Sequence, residues 1–215
     1  MKIQKDSKIN RIFPWLLTLV RIVIGWHFLY EGISKIITAG WTSAPYLAGS
    51  KWIFAPLFTA MADNASVVAV IDFINIWGMI LVGLGLMLGL FTRLAGAGGA
   101  MMLFFYFVAY PPIPGYMFGV PAEGSYLWVN RNLIEFFALT LFVFISPYSH
   151  YSLDRLLSRW KEEKARKPVG EMPADSKTGV GRREALRDLI SIPALGAFAY
   201  ALYRKRKWDS FEEKL

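Results

Sequence analysis

Residues 67–91 read VVAVIDFINIWGMILVGLGLMLGLF, and Asp72 is the only charged residue among them. A run this long and this apolar is the signature of a helix that crosses a bilayer, whose hydrocarbon core is about 30 Å thick. Glycines recur in it at 78, 83, 85 and 89, which lets a second helix approach closely in a medium where apolar side chains gain nothing by leaving lipid. Two later stretches, 94–110 and 136–147, contain no charged residue at all. The stretch 12–37 is a fourth such run, with Pro14 in its first turn, where proline is tolerated. As a helix it measures about 39 Å, so it tilts or protrudes. It follows MKIQKDSKINR, as a secretory leader would. However, Arg21 interrupts it, it runs past Gly32, and no small-residue cleavage site lies at the expected place. It reads as an uncleaved first helix.

The composition agrees: 55% of the 215 residues are hydrophobic and 16% aromatic, against about 45–50% apolar in an ordinary soluble domain. The expected fold is therefore all-α and integral to the membrane. It is a four-transmembrane-helix bundle with helices near 12–37, 67–91, 94–110 and 130–145, followed by an additional C-terminal apolar helix. Between helices one and two, residues 51–61 can form a short interfacial helix with Ile53, Phe54, Leu57, Phe58 and Met61 on one side.

The formal net charge of +8 reflects topology, and no nucleic-acid partner is expected. Lys2, Lys5, Lys8 and Arg11 precede helix one, Arg93 sits in the turn before helix three, and six basic residues from Arg155 to Lys167 follow helix four. The long connections 38–66 and 111–129 carry only Lys51. By the positive-inside bias the N-terminus is cytoplasmic and the long connections face outward, in the cytoplasmic (inner) membrane of a bacterium or archaeon. The bilayer is the first partner implied, and oligomers are compatible with the sequence.

The four-helix unit spans 12–157. A polar linker rich in Pro and Gly follows at 158–181. Residues 182–207 open with Arg182–Arg183 and continue into an apolar run, 189–203, of 15 residues. The pair resembles a twin-arginine export signal, although Ala185 stands where such signals carry a bulky residue. The run is short for a span, and spanning would push Arg204, Lys205, Arg206 and Lys207 outward, so an interfacial or docking helix is favoured over a fifth span.

The chain has no cysteine, which excludes a disulfide framework, an iron–sulfur cluster and a thiol relay within it. Its two histidines, His27 and His150, fall at opposite ends of the bundle, which excludes a bis-histidine haem. A metal at His27 and Glu31 would need a third ligand from Asp72 or Glu135, and no metal is expected.

On helix one, Arg21, His27, Glu31 and Lys35 share an arc of about 120°. Charges in a span are costly and turn toward protein or water. One reading is an ion-pair set, Glu31 with Lys35 or Arg21, that only fixes packing. The other is a site. With the topology above, Asp72 and Asn75 on helix two, Tyr106 on helix three, and Asn132 and Glu135 on helix four lie in the same outer half as His27 and Glu31. Glu31 and His27 are the candidates for proton chemistry. Arg21, Lys35, Asp72, Asn75, Tyr106, Asn132 and Glu135 are the candidates for binding in a shared pocket. Asn130 and Arg131 read as helix caps.

Three segments carry a family resemblance: RIVIGWHFLYEGISK at 21–35, GMILVGLGLMLGLFTRLA at 78–95 and YSLDRL at 151–156. In order, they resemble the first-helix signature, the Thr-Arg turn and the close of the DoxX/DoxD family, over residues 12–157. The matching positions on the first helix are Arg21, Gly25, Gly32 and Lys35. The resemblance implies a four-helix membrane protein. DoxD is the small membrane subunit of a thiosulfate:quinone oxidoreductase, so a quinone-side role follows, with quinone as the cofactor and a partner oxidoreductase as the electron donor. Glu31 would relay protons, while Arg21, His27, Lys35 and the tyrosines would donate hydrogen bonds. Two other functions stand beside it: a small-solute carrier that uses the same pocket, and a non-catalytic anchor or assembly factor that docks a partner protein through the outer loops or the C-terminal helix.

Overall fold

The computed structural model of the chain describes residues 7–113, 128–145, 152–166 and 191–212. Among them the chain is helical throughout: α1 (Ser7–Ile37), α2 (Ala44–Ala48), α3 (Ala55–Ala62), α4 (Ala65–Leu88), α5 (Thr92–Ala109), α6 (Arg131–Ile145), α7 (Leu153–Arg166) and α8 (Ser191–Glu212). Three helical stretches are long and apolar enough to cross a membrane: Ile12–Ile37, Ala65–Leu88 and Thr92–Ala109. The described part of α6 has 15 residues, about 22 Å of helix, and falls short of that length.

One core joins four helices. Ile24 and Phe28 of α1 meet Val82 and Leu86 of α4, Ala100 and Leu103 of α5, and Leu139 and Phe142 of α6. The outward faces are equally apolar. Val23 on α1, Leu81 on α4, Leu94 on α5 and Phe144 on α6 are each two-thirds or more exposed. Water would not tolerate such a surface, and lipid does.

α1 and α4 form the tightest pair, because glycine meets glycine between them. A Cβ on Gly83 would lie 2.5 Å from the Leu29 nitrogen and 2.8 Å from the Gly25 carbonyl oxygen, so the two backbones touch directly. α4 begins at Asn64, whose side chain accepts from the Ser66 and Val67 amides at 3.1 and 3.3 Å, satisfying two donors at its first turn. It ends at Gly89, in the left-handed conformation at φ 68°. The Leu90 amide then returns to the Gly85 carbonyl at 2.9 Å, a Schellman closure.

The first connection folds back over one end of the bundle. Here α2 and α3 bring Leu47 and Phe58 onto Val68 and Ala109, and Ser50 donates to the Ala109 carbonyl at 3.0 Å. The expected short helix at 51–61 forms at α3, whereas α2, started by Pro45, was not anticipated. Two other boundaries differ from the sequence expectation. Residues 158–166, read as linker, continue α7 as helix. α8 lies against α1 and α4 as a packed helix, while the twin-arginine pair and residues 167–181 fall outside the described residues, as does His150.

Candidate functional site

At the end of the bundle covered by α2 and α3, a cavity of about 900 Å³ opens between α1, α4 and α5. Most of its wall is apolar, from residues such as Phe28, Leu57, Phe58, Met79 and Leu103. The polar side chains on it include His27, Glu31, Lys35, Asn75, Tyr106, Asn130, Arg131 and Asn132.

The ionisable groups here are linked. His27 Nδ1 lies 2.8 Å from Glu135 Oε2 on α6, and His27 Nε2 lies 4.0 Å from Glu31 Oε1, one turn along α1. Nε2 is buried without a hydrogen-bond partner. The imidazole thus stands between two carboxylates, one toward each nitrogen. Glu31 Oε2 in turn accepts from Lys35 Nζ at 3.1 Å. Lys35 also approaches Met79 Sδ at 3.4 Å and sits 5.3 Å from the centre of the Trp41 ring. A chain of four ionisable side chains, Glu135–His27–Glu31–Lys35, therefore crosses from α6 to the α1 end of the cavity.

A second chain of hydrogen bonds closes the opposite wall. Tyr106 donates its hydroxyl to Asn75 Oδ1, while Asn75 Nδ2 donates to the Ile71 carbonyl at 3.0 Å. Tyr46 of α2 donates to the Tyr106 carbonyl at 3.3 Å, and Tyr110 donates to the Tyr46 carbonyl at 2.6 Å. Burial pushes the Tyr46 and Tyr110 phenols up from their ordinary value, which keeps both protonated as donors. Asn130 caps α6, its Oδ1 accepting from the Leu133 amide at 3.0 Å.

Three of the residues expected in the pocket do not line it: Glu135, which meets the wall residue His27, and two that lie elsewhere. Asp72 accepts from the Ser43 amide at 2.7 Å and so anchors the start of α2; it is not on the cavity wall. Arg21 is at the other end of the bundle, 1% exposed. Its guanidinium lies against Gly89, where a Cβ would collide with Nη1, and Asp154 supplies the opposing charge. The helical angle that aligned Arg21 with Lys35 is correct for azimuth. Fourteen residues of helix nonetheless separate the two by about 21 Å along the axis, which puts them at different depths. Among the described residues, no three His, Asp or Glu side chains stand close enough to hold a metal ion.

Asp154 does more than face Arg21. Its carboxylate accepts from the Phe91 and Thr92 amides at 3.0 and 3.2 Å, and its own amide donates to the Gly89 carbonyl at 3.1 Å. Phe91 precedes α5 in a left-handed conformation without a capping side chain, and Asp154 provides the missing cap from 62 residues away. Tyr46, Trp41 and Ser43 escaped the sequence reading of the site. Pro45, at the start of α2, is the local sign that residues 44–48 form a helix.

The fold and cavity define a polytopic helical membrane protein with a mainly apolar chamber at one end. The DoxX family model matches residues 16–111, from α1 through the end of α5, and over that stretch the chain is similar to the DoxX family. Asn132, Glu135 and Asp154 lie beyond the match. No curated protein and no solved structure matches the chain significantly.

Proposed function

We propose that this chain is the quinone-side membrane subunit of an oxidoreductase system, taking electrons from a partner dehydrogenase and directing them, with protons, to quinone held in the α1/α4/α5 cavity. The observation that carries this reading is the His27–Glu135 contact at 2.8 Å beside Glu31, on the wall of an apolar chamber of about 900 Å³. A quinone headgroup needs a slot of that character, donors for its two carbonyl oxygens and a route for two protons. Asn132 and the second Nδ2 hydrogen of Asn75 offer donors on one side, and Lys35 on the other. Glu31, about one-third exposed, is the group best situated to exchange protons with water. The chain holds no cysteine, so any thiolate-bound redox centre comes from the partner.

On this reading α6 is the fourth span of the unit. The distribution of lysine and arginine supports a topology with the cavity on the outer face of a prokaryotic cytoplasmic membrane and the N-terminus and the 158–181 segment in the cytoplasm.

The test is photolabelling of the reconstituted protein with an azidoquinone, in competition with a non-reactive short-chain quinone. Labels at Tyr106, Trp41 or Met102 that the competitor suppresses support the site. Labels confined to lipid-facing residues such as Val23 and Leu81, unaffected by competitor, sink it. A purified partner complex that assembles normally but shows no quinone dependence would leave the anchor function as the better account.

A further inference from the structure

The C-terminal helix has no part in the cavity, yet it is seated with some specificity. The ring of Phe198 meets Trp26 of α1 edge-on, with centroids 4.9 Å apart. Seven residues later Lys205 donates to the Tyr30 hydroxyl and lies 5.1 Å from the centre of that ring. The two contacts rise together in both helices, so α8 runs beside α1 in the same direction. Between them, Ala194, Leu195, Phe198 and Leu202 cover α1 as far as Ile33 and α4 at Ile80, Leu84 and Met87.

That spacing fixes the attitude of the helix. Residues 194–202 occupy about 12 Å of α8, and residues 26–33 occupy about 10 Å of α1. A helix lying in the plane of the interface would cross α1 at a single depth, whereas α8 follows it along the second half of the span Ile12–Ile37. Its other face presents Ile192, Tyr200 and Tyr203, 50%, 62% and 64% exposed, as the lipid-facing sides of α1 and α4 do.

We infer that α8 is a further membrane span, parallel to α1 and lodged in the α1/α4 groove. It carries the basic stretch 204–207 to the cavity end of the bundle, on the face opposite the start of α7. The described part of the apolar run, 191–203, gives only about 20 Å of helix. The long stems of Arg204, Lys205, Arg206 and Lys207 make up the difference by extending along apolar surface to reach water, and Tyr203 and Trp208 suit the headgroup layer. Moving four basic residues outward runs against the charge bias of the rest of the chain. The pair Arg182–Arg183 ahead of the run is the feature that export signals place before a segment sent across the membrane.

The absence of native cysteine makes the test clean. Single-cysteine variants Ser176→Cys and Asp209→Cys are treated with a membrane-impermeant maleimide in intact cells and again after permeabilisation. The inference requires that one of the two reacts in intact cells and the other only after permeabilisation. Equal reaction of both, or equal protection of both, in intact cells overturns it. A fluorophore on Tyr200→Cys gives a second reading: quenching at least twofold stronger by nitroxide at the acyl-chain centre than at the headgroup agrees with a span. The reverse order indicates a helix lying on the surface and overturns the inference.

Discussion

His27 Nδ1 and Glu135 Oε2, 108 positions apart in sequence, stand 2.8 Å apart and join α1 to α6 at the wall of the cavity. A carboxylate on one ring nitrogen fixes the tautomer and orientation of the imidazole and stabilises its protonated form if the other nitrogen takes a proton. Glu135→Gln keeps the size and a hydrogen-bond acceptor but removes the charge. Under the quinone reading, quinone reduction by the assembled complex slows about tenfold to a hundredfold, while the dissociation constant for quinone changes less than twofold. Parallel steady-state kinetics and equilibrium binding check this. Loss of binding in proportion to turnover would show that Glu135 shapes the pocket and leaves proton transfer to other groups.

The far end of the bundle has a different task, and its residues should report on stability alone. Gly89 combines a left-handed backbone, φ 68°, with direct contact to the Arg21 guanidinium. Gly89→Ala therefore suffers both the left-handed penalty of about 1–2 kcal/mol and overpacking of about 1–3 kcal/mol. The thermal midpoint in detergent should fall by several degrees, with quinone affinity unchanged in the fraction that remains folded. An unchanged midpoint would mean that the turn relaxes without strain.

Asp154→Asn probes the same junction from its other side. The substitution weakens the cap on α5 and removes the charge facing Arg21, which is almost fully buried. Loss of an N-cap costs about 1 kcal/mol, and a buried arginine deprived of its counter-charge adds to that. The expected loss exceeds that of Asn64→Ala, which removes the N-cap of α4 in an exposed setting. Chemical denaturation of the two variants side by side decides the order. Equal losses would mean that Arg21 draws its compensation from elsewhere.

How far these features could be read in advance depended on their range in sequence. α4 and α5 announce themselves as long apolar runs, and the structure moves their limits only slightly: Asn64 starts α4 early, and Gly89 stops it before Phe91. The shared azimuth of His27, Glu31 and Lys35 is equally local, and the structure keeps them together. Depth is not local. Arg21 shares the azimuth but sits about 21 Å below Lys35, and only the packing of 152–154 under the α4–α5 turn shows that a buried arginine faces a carboxylate there. Asp72 illustrates the same limit, since its partner is a backbone amide in a connection whose conformation no periodicity encodes. The three stretches that resemble DoxX/DoxD proteins lead, through Arg21, the 89–92 turn and Asp154, to this structural junction, at the opposite end from the cavity.

Glu31 separates the functional reading from a purely structural one. Its carboxylate lies 3.1 Å from Lys35 Nζ and 4.0 Å from His27 Nε2, so it can either brace α1 or pass protons between water and the imidazole. Glu31→Gln preserves shape and most hydrogen bonding while removing the titratable proton. If the pair with Lys35 only braces the helix, the variant loses stability and any remaining folded protein works normally. That loss is small, about 0–1 kcal/mol, because Glu31 is about one-third exposed and the pair is screened, and because Lys35 retains Trp41 and Met79 as neighbours. If Glu31 relays protons, the variant inserts, folds and binds its partner as the parent does, and quinone reduction slows about tenfold or more. Thermal stability in detergent, measured beside quinone reduction by the intact complex, distinguishes the two. Full activity at parental stability would remove Glu31 from the proton path and leave His27 and Glu135 to reach water by another route.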